Sequence, residues 1–236
     1  MNRPVHTPDR RSARSPHPAT VNASVCSPSP RSAPRQRPSV RVLLIPGLRD
    51  SGEAHWQTWL QRQYVDAARV TQSDWHTPDL ARWSARIGET LARSSRHTRW
   101  VAVAHSFGSL ALAQHLAQRL DAQGDAGHGR IVAALMVAPA DPVKFGLDDT
   151  LPRHDLGLPL SVIGSEDDPW MPLERARSWA HAWGGGFVNL GRVGHINTES
   201  GFGPWPLARQ KVDHLVRQQQ RLHTGLCPLA CDDDPR

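Results

Sequence analysis

Val101-Ala102-Val103-Ala104-His105-Ser106-Phe107-Gly108-Ser109 is the stretch whose reading decides the fold. Small and apolar residues run into a His-Ser pair, then Phe-Gly, then the helix-favouring run Leu110 to Leu116. The pattern is that of a buried parallel strand, a very tight turn, and a helix packed back on the sheet. A serine at such a turn is held above the strand ends with its hydroxyl exposed, an arrangement called a nucleophile elbow. Strand and helix backbones approach closely there, so small residues are needed two positions before and two after the serine. Ala104 and Gly108 meet that need, Ala standing where the usual Gly-x-Ser-x-Gly pattern has its first glycine.

Outward from this stretch, apolar runs alternate with helical periodicity. Val40 to Ile45 reads as a strand stopped by Pro46-Gly47, Ala68 to Thr71 as a weak strand, Ile131 to Ala138 as a strongly apolar one. Leu160 to Ile163 and Phe187 to Leu190 complete the set. Helical spacing runs over Glu53 to Tyr64, Asp79 to Arg93, Leu173 to Trp183 and Leu207 to Arg221. Residues 139–158, broken by Pro139, Pro142 and Pro152, read as irregular, and 124–130 as a loop. This alternation predicts an α/β three-layer sandwich with a mostly parallel sheet. The span between Ala138 and Leu160, about 20 residues, leaves room for little or no lid.

In such a sheet the functional groups gather beyond the carboxyl ends of the strands. Ser106 sits there. Asp168 follows Leu160–Ile163 in Gly164-Ser165-Glu166-Asp167-Asp168-Pro169, and His195 follows Phe187–Leu190 in Gly191-Arg192-Val193-Gly194-His195. Three strand ends thus deliver serine, acid and histidine in the chain order that this hydrolase architecture uses. A serine hydroxyl attacks a carbonyl only when a base removes its proton, a role given to His195. The acid would orient the histidine and stabilise its imidazolium. Asp168 is preferred because Pro169 fixes its turn; Asp167 is the alternative and Glu166 a more distant one. The carbonyl oxygen becomes negative and needs two fixed donors. The N–H groups of Phe107 and Leu48 are assigned to it, Gly47 permitting close approach of the loop after the first strand. His105 is assigned an orienting or packing role. Trp59, Trp83, Trp100, Trp179 and Trp183 fit core or helix-face positions, whereas Trp56, Trp75, Trp170 and Trp205 fall near strand ends. His55, Trp56, Trp75 and Trp170 are the candidate substrate-binding residues.

The net charge of +6 suggests nucleic acid until it is located. Residues 1–38 hold seven arginines against one acid, and the other 198 residues are balanced, with 21 basic and 21 acidic side chains. Nucleic-acid binding is therefore expected to be weak at most and confined to this basic tail. With eight prolines and no sustained apolar period, residues 1–38 are expected to be a disordered Pro/Arg/Ser-rich extension. The domain itself is expected over 39–222, with a flexible tail at 223–236. No run approaches the ~18 apolar residues of a membrane span. The cysteines, Cys26, Cys227 and Cys231, form no disulfide framework, and a cytoplasmic setting is the expectation. Histidine spacing matches no metal motif, so neither metal nor cofactor is expected. The expected partner is a small ester or amide substrate.

Taken together, Ile45-Pro46-Gly47 with His55-Trp56, the His105-Ser106-Phe107-Gly108 elbow, Gly164 to Pro169, and Gly191 to Asn197 resemble one group within the α/β-hydrolases. That group is the small serine hydrolases similar to retinoblastoma-binding protein 9. Gly201-Phe202-Gly203-Pro204-Trp205-Pro206 resembles the segment following the histidine in bacterial members. The resemblance covers about residues 40–218 and leaves the two tails outside. It implies a cofactor-free serine hydrolase with the triad on Ser106, Asp168 and His195. The group more often has Leu where Phe107 stands, a change that implies a different pocket shape and the same mechanism.

Overall fold

The computed structural model of the chain describes residues 39–121 and 130–224. The expectations for residues 1–38, for most of the 124–130 loop and for residues 225–236, and the three cysteines, lie outside these residues. Among the described residues there are six strands: β1 (Val40–Ile45), β2 (Ala68–Arg69), β3 (Arg99–His105), β4 (Arg130–Val137), β5 (Leu160–Gly164) and β6 (Gly186–Asn189). Five helices accompany them: α1 (Trp56–Gln61), α2 (Leu80–Ala92), α3 (Phe107–Asp121), α4 (Leu173–Ala182) and α5 (Pro206–Thr224). The strands form one sheet in the order β2-β1-β3-β4-β5-β6, and every pairing is parallel.

Alternation along the strands divides the core in two. On one face Leu43, Ile45, Ala102 and Ala104 pack beneath α2, α3 and α4; on the other Val42, Leu44, Val101 and Val103 pack beneath α1 and α5. Burial on both faces is why these strands read as continuous apolar runs. A register shift between Trp100 and Val101 resets this parity against β4, so that Ile131 and Ala134 share a face. The first seven residues of α3 are all fully buried, consistent with a helix at the centre of its layer. Burying Leu110, Leu112 and Leu116 contributes about 1.5–3 kcal/mol each.

Boundaries moved where local pattern was weak. The second strand pairs over only two residues, and α1 is half the expected length, beginning after its His55 cap and ending at Arg62. α5 continues to Thr224, two residues into the segment read as tail. The irregular span 139–158 holds one 3₁₀ turn, Pro142–Phe145, capped by the buried Asp141, which also pairs with Arg175 at 2.9 Å.

Topology then places the site. The chain leaves β1 for β2 at one edge, and returns past β1 to β3 and the rest of the sheet. Strand order therefore reverses between β1 and β3, where a crevice opens beyond the carboxyl ends. The loop Pro46–Ser51 leaves β1 and Ser106 leaves β3 on either side of that crevice.

Candidate active site

Ser106 is a non-glycine residue at φ +53°, in the left-handed region that costs about 1–3 kcal/mol. Contacts on both sides leave the chain no alternative. A Cβ on Gly108 would stand 2.3 Å from the Pro46 carbonyl oxygen and 2.6 Å from that of Ile45. One on Gly47 would stand 2.7 Å from Ser106 Cβ. The Ser106 N–H donates to Val137 O at 3.1 Å, and Ser109 N–H to Ser106 O at 2.9 Å, closing the turn. Ala104 is fully buried beneath it and needs no further space.

From Ser106 a continuous line of hydrogen bonds leads inward. Ser106 Oγ lies 2.9 Å from His195 Nε2. His195 Nδ1 lies 2.8 and 2.9 Å from the two oxygens of Asp168. A carboxylate only accepts, so Nδ1 carries the ring proton and Nε2 is free to accept from the serine. The Asp168 side chain is 2% exposed, and its Oδ1 also accepts from Trp170 N–H at 2.8 Å. Asp167 is engaged elsewhere: its Oδ1 accepts from Gly194 N–H at 2.8 Å and Ser165 Oγ–H at 2.9 Å. These bonds hold its carboxyl below the usual aspartate range. Of the two acids, Asp168 meets the histidine and Asp167 ties the histidine loop to the end of β5.

That loop is strained as well. Ile196, directly after His195, lies at φ +50°, an unusual state for a β-branched residue. It is anchored from far along the chain. Trp56 Nε1–H donates to Ile196 O at 2.9 Å, and His105 Nε2–H donates to His195 O at 3.0 Å. His195 N–H donates to Ser200 Oγ at 3.0 Å. Gly194, at φ +63°, would place a Cβ 2.5 Å from that same Ser200 oxygen. Burial first, then the neighbouring His195 and His55, push the His105 pKa well below the ordinary histidine value. Buried and neutral, His105 is bonded to the backbone of the histidine loop.

Leu48 lines the space beside Ser106, and Phe107 follows Ser106 as the first residue of α3. Among the described residues neither amide donates to another protein group. Arg49 and Asp50, at φ +65° and +61°, turn the loop after Leu48, and Arg49 N–H is pinned to Trp75 O at 2.8 Å. The resulting cleft, about 360 Å³, is walled by Leu48, Phe145 and Trp170 on its apolar side. Arg49, His76, Asn197 and Glu199 supply much of its polar side.

Of the four candidate substrate-binding residues, His55 and Trp170 line this cleft, and Trp56 and Trp75 do not. Trp56 is fully buried, edge-on to Trp205 at 5.2 Å, with its indole nitrogen committed to Ile196. Trp75 packs edge-on against Trp83 at 5.7 Å and supports the Arg49 loop through its carbonyl. The expectation that these two contact substrate is corrected: each holds a loop of the site from behind. Phe107 is likewise buried, packed on Trp83 at 5.0 Å and on the cleft residue Phe145 at 5.1 Å, so it shapes the pocket through Phe145. Phe145 itself lay in the irregular span with no signal to find it.

A second groove, about 400 Å³, runs along α5 past Leu135, Ser161 and Lys211; Ser106 and His195 are not part of it. Among the described residues no group of three His, Cys, Asp or Glu side chains is placed to hold a metal ion, and no helix is long and apolar enough to cross a membrane.

Comparison with known proteins agrees with this fold. A YdeN-like hydrolase from Pectobacterium atrosepticum is 33% identical, covering 76% of this chain and 92% of its own at a TM-score of 0.69. The ydeN gene product of B. subtilis, 20% identical, covers 75% of this chain and 98% of its own at 0.57. Est1E from Butyrivibrio proteoclasticus, with ferulic acid bound, shares the fold at 13% identity, 76% and 88% coverage, and a TM-score of 0.56. A search of curated proteins gave no match. The serine hydrolase family matches residues 42–214, spanning the elbow, both aspartates and His195, and the chain belongs to that family.

Proposed function

We propose that the protein hydrolyses small carboxylic esters through an acyl-enzyme on Ser106. The observation that carries this reading is the unbroken line Asp168–His195–Ser106, with separations of 2.8 and 2.9 Å, opening into a cleft lined by Leu48. Ser106 Oγ attacks the ester carbonyl as its proton passes to His195 Nε2. The carbonyl oxygen takes the negative charge and receives the N–H groups of Leu48 and Phe107. Each such donor is worth on the order of 2.7–4 kcal/mol in barrier. The adduct then collapses: the carbon–oxygen bond to the alcohol breaks, and His195 returns its proton to the leaving oxygen. Water attacks the acyl-enzyme by the same route, with His195 again the base, and frees the acid and Ser106. Asp168, held by Trp170 N–H and nearly sealed from solvent, keeps the imidazole oriented throughout.

The cleft supports a small substrate. At about 360 Å³, with a single four-residue 3₁₀ turn between β4 and β5, it has an apolar wall suited to a short acyl chain. The test is a panel of short-chain p-nitrophenyl esters beside peptide arylamides. Release of nitrophenol from the esters, with little from the arylamides and none above background for Ser106→Ala, is the expected result. Equal ester turnover by Ser106→Ala would contradict the reading.

A further inference from the structure

His55 is the N-cap of α1, with extended backbone at φ −76° and ψ 145°. Gln57 N–H donates to its Nδ1 at 3.1 Å. A ring nitrogen that accepts carries no proton, so the cap fixes the tautomer and leaves the hydrogen on Nε2. The ring is only 5% exposed, and what it exposes faces the cleft beside Ser106. It packs on Trp56 at 5.5 Å between centroids and edge-on to His105 at 4.9 Å. His105 in turn meets His195 at 5.0 Å, so three imidazoles form a chain that ends on the candidate base. Among the described residues Nε2 has no protein partner, and it is not among the buried side-chain atoms left without one. Its N–H is therefore an open donor on a rigid, nearly buried ring.

Burial, aided by Arg69 and His195, lowers the His55 pKa to about 4. The ring is neutral across the working range and does not exchange its proton with substrate as an acid would. A neutral donor that is locked in place costs nothing to reorganise during reaction.

We propose that His55 Nε2–H hydrogen-bonds the leaving-group oxygen of the bound ester, as a third donor beside the two backbone amides. The inference rests on the acyl-enzyme reading above. Leu48 and Phe107 already serve the carbonyl oxygen, and the ring chain places His55 on the side of His195, which protonates the leaving oxygen. As the adduct collapses, the carbon–oxygen bond breaks and its electron pair goes to the leaving oxygen. The proton comes from His195 Nε2; that of His55 stays on its own nitrogen and orients the departing atom. The site then selects oxygen esters over thioesters, because sulfur is a weak acceptor.

The test compares an alkyl ester with the S-alkyl thioester of the same acyl group, in wild type, His55→Asn and His55→Gln. Asparagine preserves a cap acceptor without an N–H at the place of Nε2; glutamine reaches further and restores a donor. For His55→Asn the expected result is a fall in kcat of roughly 10- to 100-fold on the ester with KM little changed. On the thioester the change should stay within about threefold, because the acceptor is missing. His55→Gln should recover part of the ester rate and carries the comparison if the asparagine variant melts early. Equal losses on both substrates, or an unchanged ester rate, would overturn the role of His55 and leave the acyl-enzyme intact. Wild type that turns over neither substrate would overturn the acyl-enzyme reading and this inference with it.

Discussion

Ser106 and Ile196 are both non-glycine residues held at positive φ, +53° and +50°, and the molecule restrains them by different means. At the elbow the restraint is steric. Gly47 and Gly108 let two loops and a helix close on Ser106, and a Cβ at either would collide with backbone or with the serine itself. At the histidine loop the restraint is polar: Trp56 and His105 reach across 140 and 90 positions of sequence to bond Ile196 O and His195 O. A steric restraint is written locally as small residues at fixed spacing. A polar restraint arriving from another element leaves no local mark.

The largest effect is expected from breaking the steric side. Gly108→Ala forces a methyl against two carbonyl oxygens, and backbone cannot yield as a side-chain tip would. A loss of at least ~3 kcal/mol follows, or about 6–12 °C in Tm. A calorimetric midpoint within 2 °C of wild type would show that the elbow is looser than described.

Breaking the polar side should affect rate more than stability. Trp56→Phe keeps most of the packing and leaves Ile196 O without its donor, at a cost of about 1–3 kcal/mol. Releasing that carbonyl lets the His195 ring shift, and misplacement by about 1 Å reduces kcat up to roughly 100-fold. Steady-state kinetics check this: unchanged kcat with a lowered Tm would reduce Trp56 to a packing residue.

Acid sharpens the comparison, because only the polar side rests on groups that titrate. His55 and, away from the site, His115 have pKa values lowered to about 4, mainly by burial, and burial also pushes His105 well below the ordinary histidine value. A folded-state pKa below the unfolded value means that unfolding takes up protons. Stability is then complete above about pH 6.5 and declines as pH falls toward 4. His115→Leu removes one such group without touching the cleft. It should reduce the stability lost between pH 7 and 4.5 by about 1–3 kcal/mol, read from denaturant melts at both pH values. An unchanged loss would mean that His115 does not resist protonation in the folded chain.

The same contrast explains what the sequence revealed. β1 falls on the predicted residues, and β3 and β5 run only slightly beyond theirs, because their apolar runs are buried on both faces. β2 shrank to two residues because an edge strand needs little pairing. The serine, the acid and the histidine were legible because each follows a strand at its carboxyl end. Asp167 and Asp168 are adjacent and differ by which amide each meets, and Gly194 N–H lies 27 positions away. Trp56 and Trp75 were misplaced because proximity to a strand end does not say which side of a loop a side chain takes. Phe145 reaches the cleft only through the turn that Asp141 caps.

The central claim is that Ser106 is an activated nucleophile, and covalent labelling by a fluorophosphonate followed by intact mass tests it most directly. One phosphonyl adduct per chain on Ser106 in wild type, and none on Ser106→Ala, is the predicted result. An unlabelled wild type, or equal labelling of Ser106→Ala, would contradict it.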